Sequence, residues 1–377
     1  MKIQFDPKEF APKFKLAASV AAARDIKPIL QNVKIKADKK IGAILQATDT
    51  ELGIRIRIDC DVVNNGEAVL PTKRVARLLD ITEEERLVIE STDSNVIMRG
   101  DQASENDDNS LNLDTQSPDE FPNVEEFEET SYHEIPAKAL KEMIRRTLFA
   151  TDTEAHRFAL SGVCFEMDGG NISVVATDGR RLAWQEGKGE CVKDHKVETA
   201  ILPVKTLQIL ERVLNDKSID DDDEIKMAVS SNRVLFQCKD VTLFSRLVEG
   251  RFPKWRTIIP KTDDDTPVTL ESGKLLRAVQ MAEITITDLD PGIHFIFEKG
   301  KLILTGEGKE VGKSKSGLPI TFDGPEKKIK FDPKFITSFL NVLDRSAVLS
   351  IYLPPDNDPV KITADDGGYI YVVMPMS

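Results

Sequence analysis

The chain has 377 residues, 40% of them apolar and 31% charged, with 51 basic against 64 acidic side chains and a formal net charge of −13. That length exceeds one ordinary core and fits two or three domains of a soluble globular protein. The absence of any run of about 18 apolar residues excludes a helical membrane span, and the acidic balance, taken whole, counts against nucleic-acid binding.

The opening Met1-Lys2-Ile3-Gln4-Phe5-Asp6-Pro7 has no apolar signal stretch, so a cytoplasmic location is expected. Asp6 and Pro7 are placed as N-cap and first-turn residue of a helix over 7–23, with Phe10, Phe14 and Ala17 on one face. An apolar strand pair follows, in Ala43-Ile44-Leu45-Gln46-Ala47-Thr48-Asp49 and Leu52-Gly53-Ile54-Arg55-Ile56. The strand starting at Ala68 turns at Pro71 into a helix over 71–80, where Val75, Leu78 and Leu79 keep helical spacing. Alternation in Arg86-Leu87-Val88-Ile89-Glu90 and Ser94-Asn95-Val96-Ile97-Met98-Arg99 predicts strands with one buried face. Phe121-Pro122 closes this stretch.

The same order then returns twice. A helix over 136–147 carries Leu140, Met143 and Ile144, and strands at 173–178 and 181–184 repeat the apolar pair. A strand turning at Pro203 enters a helix over 203–214, and Phe252-Pro253 closes the second stretch. The third has a helix over 271–280, a strand at 301–306, a helix over 332–345 entered at Pro333, and a strand at 360–363. The Ala-Thr-Asp triplets at 47 and 176 and the two Phe-Pro pairs set a period of about 130 residues. Each unit has two helices against antiparallel strands, an α+β arrangement, and domains are expected at residues 1–130, 131–262 and 263–377. The acidic stretches 125–129 and 263–265 are expected to be exposed junctions.

Each of the six predicted helices is neutral or net positive, so the acid lies in the junctions and in loops such as Asp220-Asp221-Asp222-Asp223-Glu224. For any single helix, Lys and Arg on a solvated face explain this. Across all six, the pattern suits one basic surface on an acidic body, making sequence-independent, salt-sensitive phosphate contacts. The helix over 136–147 is the most basic, with Lys138, Lys141, Arg145 and Arg146 against Glu142. Cys60, Cys164, Cys191 and Cys238 form no Cys-x-x-Cys pair, so neither a disulfide framework nor structural zinc is expected, and Cys164 reads as core. No Walker loop, histidine ligand spacing or nucleophile–histidine set stands out, so no enzyme, metal or cofactor is expected.

At Val174-Val175-Ala176-Thr177-Asp178-Gly179-Arg180-Arg181-Leu182-Ala183 the sequence resembles the bacterial sliding clamps, the beta subunits of DNA polymerase III. Leu247-Val248-Glu249-Gly250-Arg251-Phe252-Pro253 and Tyr371-Val372-Val373-Met374-Pro375-Met376 carry the same resemblance, which covers the whole chain. It implies a head-to-tail homodimer whose three similar domains per chain close into a ring around duplex DNA, helices lining the hole. The partners implied are duplex DNA, the polymerase III alpha subunit, the clamp loader, and other polymerases and repair proteins carrying a clamp-binding peptide, with no membrane.

Carried over by position, the peptide pocket is lined by Arg157, Leu160, Thr177, Gly179, Arg180, Arg181, Leu182, Pro253, Ile258, Val372, Val373, Met374, Pro375 and Met376. The resemblance adds Arg24 and Lys73 to the DNA-binding residues. Thr257 stands where some relatives have Arg, and the end at Ser377 lacks the basic residue and leucine that relatives often add. In the third unit Gly306-Glu307-Gly308 replaces the Thr-Asp turn, so no second pocket is expected there. The residues alone also allow a simpler reading: a tight Thr177-Asp178-Gly179 turn, with Leu160, Leu182 and Val372 as core. A peptide-binding scaffold paralogue without clamp function is the alternative.

Overall fold

The computed structural model describes residues 1–22, 27–92, 95–102, 110–152, 158–193, 195, 199–262, 266–355, 358–364 and 368–376. In chain order, β1 (Lys2–Phe5) and α1 (Pro7–Val20) precede β2 (Asn32–Asp38), β3 (Gly42–Thr48), β4 (Leu52–Ile58), β5 (Asp61–Asn64) and β6 (Gly66–Pro71). Then come α2 (Thr72–Ile81), β7 (Leu87–Ser91), β8 (Asn95–Gly100) and β9 (Ser110–Asp114). The second repeat has β10 (Tyr132–Pro136), α3 (Ala137–Thr147), β11 (Gly162–Asp168), β12 (Asn171–Thr177), β13 (Arg181–Lys188), β14 (Glu190–Val192) and β15 (Thr199–Pro203). It ends with α4 (Val204–Leu214), β16 (Glu224–Val229), β17 (Arg233–Cys238) and β18 (Val241–Arg246). The third has β19 (Val268–Glu271), α5 (Ser272–Glu283), β20 (Ile293–Glu298), β21 (Lys301–Gly308), β22 (Gly312–Pro319) and β23 (Lys327–Phe331). It closes with α6 (Pro333–Asn341), β24 (Val348–Tyr352), β25 (Val360–Ala364) and β26 (Tyr369–Val373).

The chain divides into two compact units. The first comprises residues 1–138, 189–197 and 205–247 and holds a five-stranded sheet, β5-β1-β7-β8-β9, and a nine-stranded one, β14-β10-β16-β17-β18-β4-β3-β2-β6. Asp6 caps α1 by accepting the Lys8 N–H at 2.7 Å, and the predicted face of Phe10, Phe14 and Ala17 is buried. The second unit comprises residues 139–188, 198–204 and 248–377. Its sheets are β15-β11-β12-β13-β26-β25-β24-β19 and β22-β21-β20-β23. Neighbouring strands are antiparallel throughout, including the two pairings that join successive repeats, β4 with β18 and β13 with β26.

The acidic stretch 125–129 departs from expectation. Arg233 pairs with Glu125 and Glu129, and Arg55 with Glu126, so this segment is fastened to the sheet surface rather than left as a free junction. Residues 263–265 lie outside the described residues. The helix predicted to run to 345 stops at Asn341, and the one predicted to run to 23 stops at Val20.

Candidate functional site

The connection between β12 and β13 is built by its own side chains. Thr177 Oγ1 donates to the Arg181 carbonyl at 2.6 Å and accepts the Gly179 N–H at 3.1 Å. Asp178 Oδ1 accepts the N–H groups of Arg180 and Arg181 at 2.8 and 3.0 Å. Gly179 takes φ +87°, where a Cβ would be strained. The tight turn read from these residue types is therefore present. The turn also anchors the chain end, because the Met374 N–H donates to the Arg180 carbonyl at 2.8 Å.

Arg181 points inward from this turn. Its Nε donates to Asp178 Oδ2 at 3.0 Å and its terminal nitrogen to the Phe149 carbonyl at 2.7 Å. Its guanidinium lies 4.6 Å from the centre of the Phe335 ring. It braces the segment after α3 and the first turn of α6, and its side chain has little reach toward a ligand.

Leu182 and Val372 face each other across the β13–β26 pair and are only 1% and 2% exposed. They belong to one cluster with Cys164, Val175, Ile201, Trp255 and Ile370. For these two side chains the simpler reading as core is correct; they form a floor. Burial pushes the Cys164 thiol up to about 12, as expected of a core cysteine. Thr177 and Val373 are buried as well, while Leu160, Pro253, Pro375 and Met376 are half-buried. Gly179, Arg180, Ile258 and Met374 are exposed, the last two each at 41%. Arg157 lies outside the described residues.

Trp255 and Glu166 belong to this surface and were not singled out from the sequence. The indole Nε1 donates to Glu166 Oε1 at 2.8 Å, and Arg256 pairs with the same carboxylate while stacking 4.1 Å above the indole. This pins the short 3-10 turn Trp255–Thr257, from which Ile258 emerges. The signal available was the placement of one of only two tryptophans just after Phe252-Pro253. An apolar floor with exposed Ile258 and Met374 and the cation of Arg180 at its margin suits a short amphipathic segment.

The basic residues separate into two kinds. Lys73, Arg74 and Arg77 on α2 and Lys138 and Arg145 on α3 are exposed, and Lys141 is half-buried. Arg146 corrects the expectation of a DNA contact. It is 6% exposed, donates to Gln185 Oε1 at 3.0 Å, pairs with Glu142 at 2.8 Å and lies 5.1 Å from the centre of the Tyr369 ring. Consecutive helical residues are about 100° apart, so Arg145 facing out turns Arg146 in. Arg24 lies outside the described residues. In the first unit Lys73, Arg74 and Asp114 border a groove of about 850 Å³ beside the end of β9. Among the described residues no group of three or more His, Cys, Asp or Glu is placed to hold a metal, and no helix is long and apolar enough to cross a membrane.

Three family models match nearly the whole length. They are the DNA polymerase III beta subunit N-terminal domain at residues 1–125, its central domain at 134–254 and its C-terminal domain at 256–377. The chain is 27% identical over 360 residues to a beta sliding clamp of Halalkalibacterium halodurans, covering 92% of each. It is also 27% identical over 385 residues to a beta sliding clamp of Escherichia coli, covering 100% of each. A crystal structure of a sliding clamp (DNA polymerase III subunit beta) from Pseudomonas aeruginosa, bound to griselimycin, superposes with a TM-score of 0.90 at 23% identity, covering 100% of this chain and 99% of that one.

Proposed function

Because the chain belongs to the DNA polymerase III beta subunit family, we propose that it is a sliding clamp: two copies close head to tail into a ring around duplex DNA. The observation that carries this reading is a mismatch between sheet ends. The first-repeat group β6-β2-β3-β4 continues into β18, and the second-repeat group β15-β11-β12-β13 into β26. The third group, β23-β20-β21-β22, stops at β22, and β9, in the place of β18 and β26, is likewise unpaired among the described residues. Of the remaining ends, β6, β15 and β23 recur alike in the three repeats, while β5 and β14 cover β1 and β10 and the third repeat ends at β19 among the described residues. Pairing β22 of one copy with β9 of the other satisfies both edges, and this heterologous contact closes after two chains.

An apolar patch supports the same closure. The end of α5 and the segment after it expose Met281, Ile284 and Leu289, at 54%, 72% and 95%. Val311, next to β22, is exposed too. Patches of this kind mark association surfaces.

The ring is a processivity factor and not an enzyme. Exposed cations on its helices hold DNA by phosphate contacts, which allow sliding because they carry no base readout. The surface over Leu182 and Val372 takes the peptides of the polymerase III alpha subunit, the clamp loader, other polymerases and repair proteins. The domains are 1–130, 131–262 and 263–377, and the protein works in the cytoplasm. The test is topological. Protein placed on circular duplex by a clamp loader with ATP should be retained through gel filtration and lost when the circle is cut. Equal retention on linear and circular DNA would favour the scaffold alternative.

A further inference from the structure

Resting on the peptide-binding reading of the surface over Leu182 and Val372, we propose that Glu166 is a positioning residue for that surface. It holds the segment after Phe252-Pro253 back over β11, and so keeps the β13–β26 floor open where the matching floor of the first repeat is covered by its own chain. The two junctions share one plan. Thr48 and Thr177 lie opposite Gly53 and Leu182, which in turn face Phe244 and Val372 across the strands that join successive repeats. Phe121-Pro122 and Phe252-Pro253 precede the crossing segments, so Val124 and Trp255 hold the same place, three residues after each phenylalanine.

In the first junction the crossing segment lies on the floor. A Cβ at Gly53 would stand 2.9 Å from Val124 Cγ1, so Val124 sits directly over the position that Leu182 holds in the second. Cations draw it there. Arg55 of β4 donates to the Val124 carbonyl at 3.1 Å and pairs with Glu126. Arg233 of β17, on the far side of β18, pairs with Glu125 and Glu129.

In the second junction both cations are replaced and the pull is reversed. Trp184 holds the place of Arg55, two residues after Leu182 as Arg55 is after Gly53. Leu235 faces Phe244 as Lys361 faces Val372, so Pro359 holds the place of Arg233. Glu166 is the fifth residue of β11, where β2 has Lys36, which pairs with Glu67 of β6. The sheet runs β11-β12-β13-β26, so a tether on β11 draws the segment away from β26. The Trp255 indole, on a residue 3% exposed, donates to Glu166 at 2.8 Å, and this bond is the strong part of the tether. The Arg256 pair faces solvent and adds little. The turn itself is stiff, with the Thr257 and Ile258 N–H groups donating to the Lys254 and Trp255 carbonyls at 3.0 and 2.9 Å, so Ile258 follows wherever Trp255 is held. Beyond this wall, Lys361 Nζ of β25 takes hold of the segment at Thr262 Oγ1, at 2.9 Å.

Rapid-mixing fluorescence anisotropy on the full chain, with a labelled C-terminal peptide of the polymerase III alpha subunit, tests this. A covered floor lowers the fraction of chains able to bind, so Glu166→Ala should slow association roughly tenfold and leave dissociation at the wild-type rate. Glu166→Gln still accepts the indole N–H and should associate within about threefold of wild type. Trp255→Phe deletes the donor without leaving it buried and unpaired, so it serves should Glu166→Ala fail to fold, and it should slow association about fivefold. Wild-type association in either folded variant, a loss carried by faster dissociation in Glu166→Ala, or Glu166→Gln as slow as Glu166→Ala overturns the positioning role while leaving the pocket in place. A wild-type chain that does not bind the peptide overturns the pocket reading itself.

Discussion

Truncating Arg146 to alanine tests which way its guanidinium faces. The group donates to Gln185 Oε1 at 3.0 Å, pairs with Glu142 at 2.8 Å and stacks over Tyr369. Without it the Gln185 carbonyl, itself buried, loses its donor, at a cost of about 1–3 kcal/mol. Losing the cation over a desolvated ring removes about 2 kcal/mol more. Glu142 is partly exposed and turns to water, adding little. The expected loss of about 3–5 kcal/mol is that of one partner removed from a buried pair. Arg145→Ala, on the exposed neighbour, should cost under about 0.5 kcal/mol. Urea unfolding followed by circular dichroism reads the stability, and retention on circular DNA, measured where both variants are folded, reads the contact. Arg146→Ala should lower the midpoint and leave retention unchanged, and Arg145→Ala should do the reverse. A wild-type midpoint with impaired retention in Arg146→Ala would refute the inward placement.

Three further outcomes are expected. His195 Nε2 accepts the Val229 N–H at 3.0 Å, and burial, opposed by Glu129, holds its pKa below the ordinary histidine value of 6.5. The unfolded chain therefore takes up that proton first, so stability should fall as pH drops below about 6.5, and His195→Ala should flatten this slope; equal slopes would exclude the residue. Thr50 holds φ +78° where the equivalent turn has Gly179 at +87°, so Thr50→Gly should raise stability by about 1 kcal/mol, a gain absent if the turn is relaxed. Ile258→Asp combined with Met374→Asp should abolish binding of a polymerase C-terminal peptide in fluorescence anisotropy without shifting the unfolding midpoint, because both side chains are exposed; retained binding would move the peptide elsewhere.

Helices were legible because five of the six announce themselves twice, by a proline at or beside the start and by apolar spacing, whereas α5 has the spacing alone. Pro71, Pro203 and Pro333 mark the second helix of each repeat, and the faces read from Val75, Leu207 and Ile336 are the buried ones. The leading strands β1, β10 and β19 were missed, since four or five residues hold too few alternations to show a period. Charge was legible as a sum and not as a direction. Arg145 and Arg146 count equally in sequence, and only packing against Gln185 and Tyr369 separates them. Arg181 was misread for a related reason. The Thr177-Asp178-Gly179 turn is local and follows from residue types, but the Phe149 carbonyl and the Phe335 ring that hold its guanidinium are distant in the chain. Which sheet edges pair is also a long-range property, visible in no window of sequence.

One turn, copied three times, has diverged into three uses, and the divergence lies in single atoms. In the first copy Thr48 and Asp49 close the turn as Thr177 and Asp178 do in the second. The spare oxygen, Oδ2, then differs. On Asp49 it receives Lys205 and braces the junction of two repeats, whereas on Asp178 it receives Arg181 and holds the turn over which Met374 is anchored. In the third copy Glu307 occupies the threonine position and has no hydroxyl to donate back across the turn. Gly308 follows in the aspartate position and offers no carboxylate, and the hairpin is tied from its second strand, where Ser314 Oγ accepts the Gly306 N–H at 3.2 Å. Its glutamates face outward instead, and Glu307 is engaged by Lys313 at the open edge of β22. A turn that supplies its own closure suits a junction made once, during folding. A turn that leaves its charges at the surface suits a junction that must be made and broken between chains, because exposed ion pairs exchange with solvent and salt at little cost.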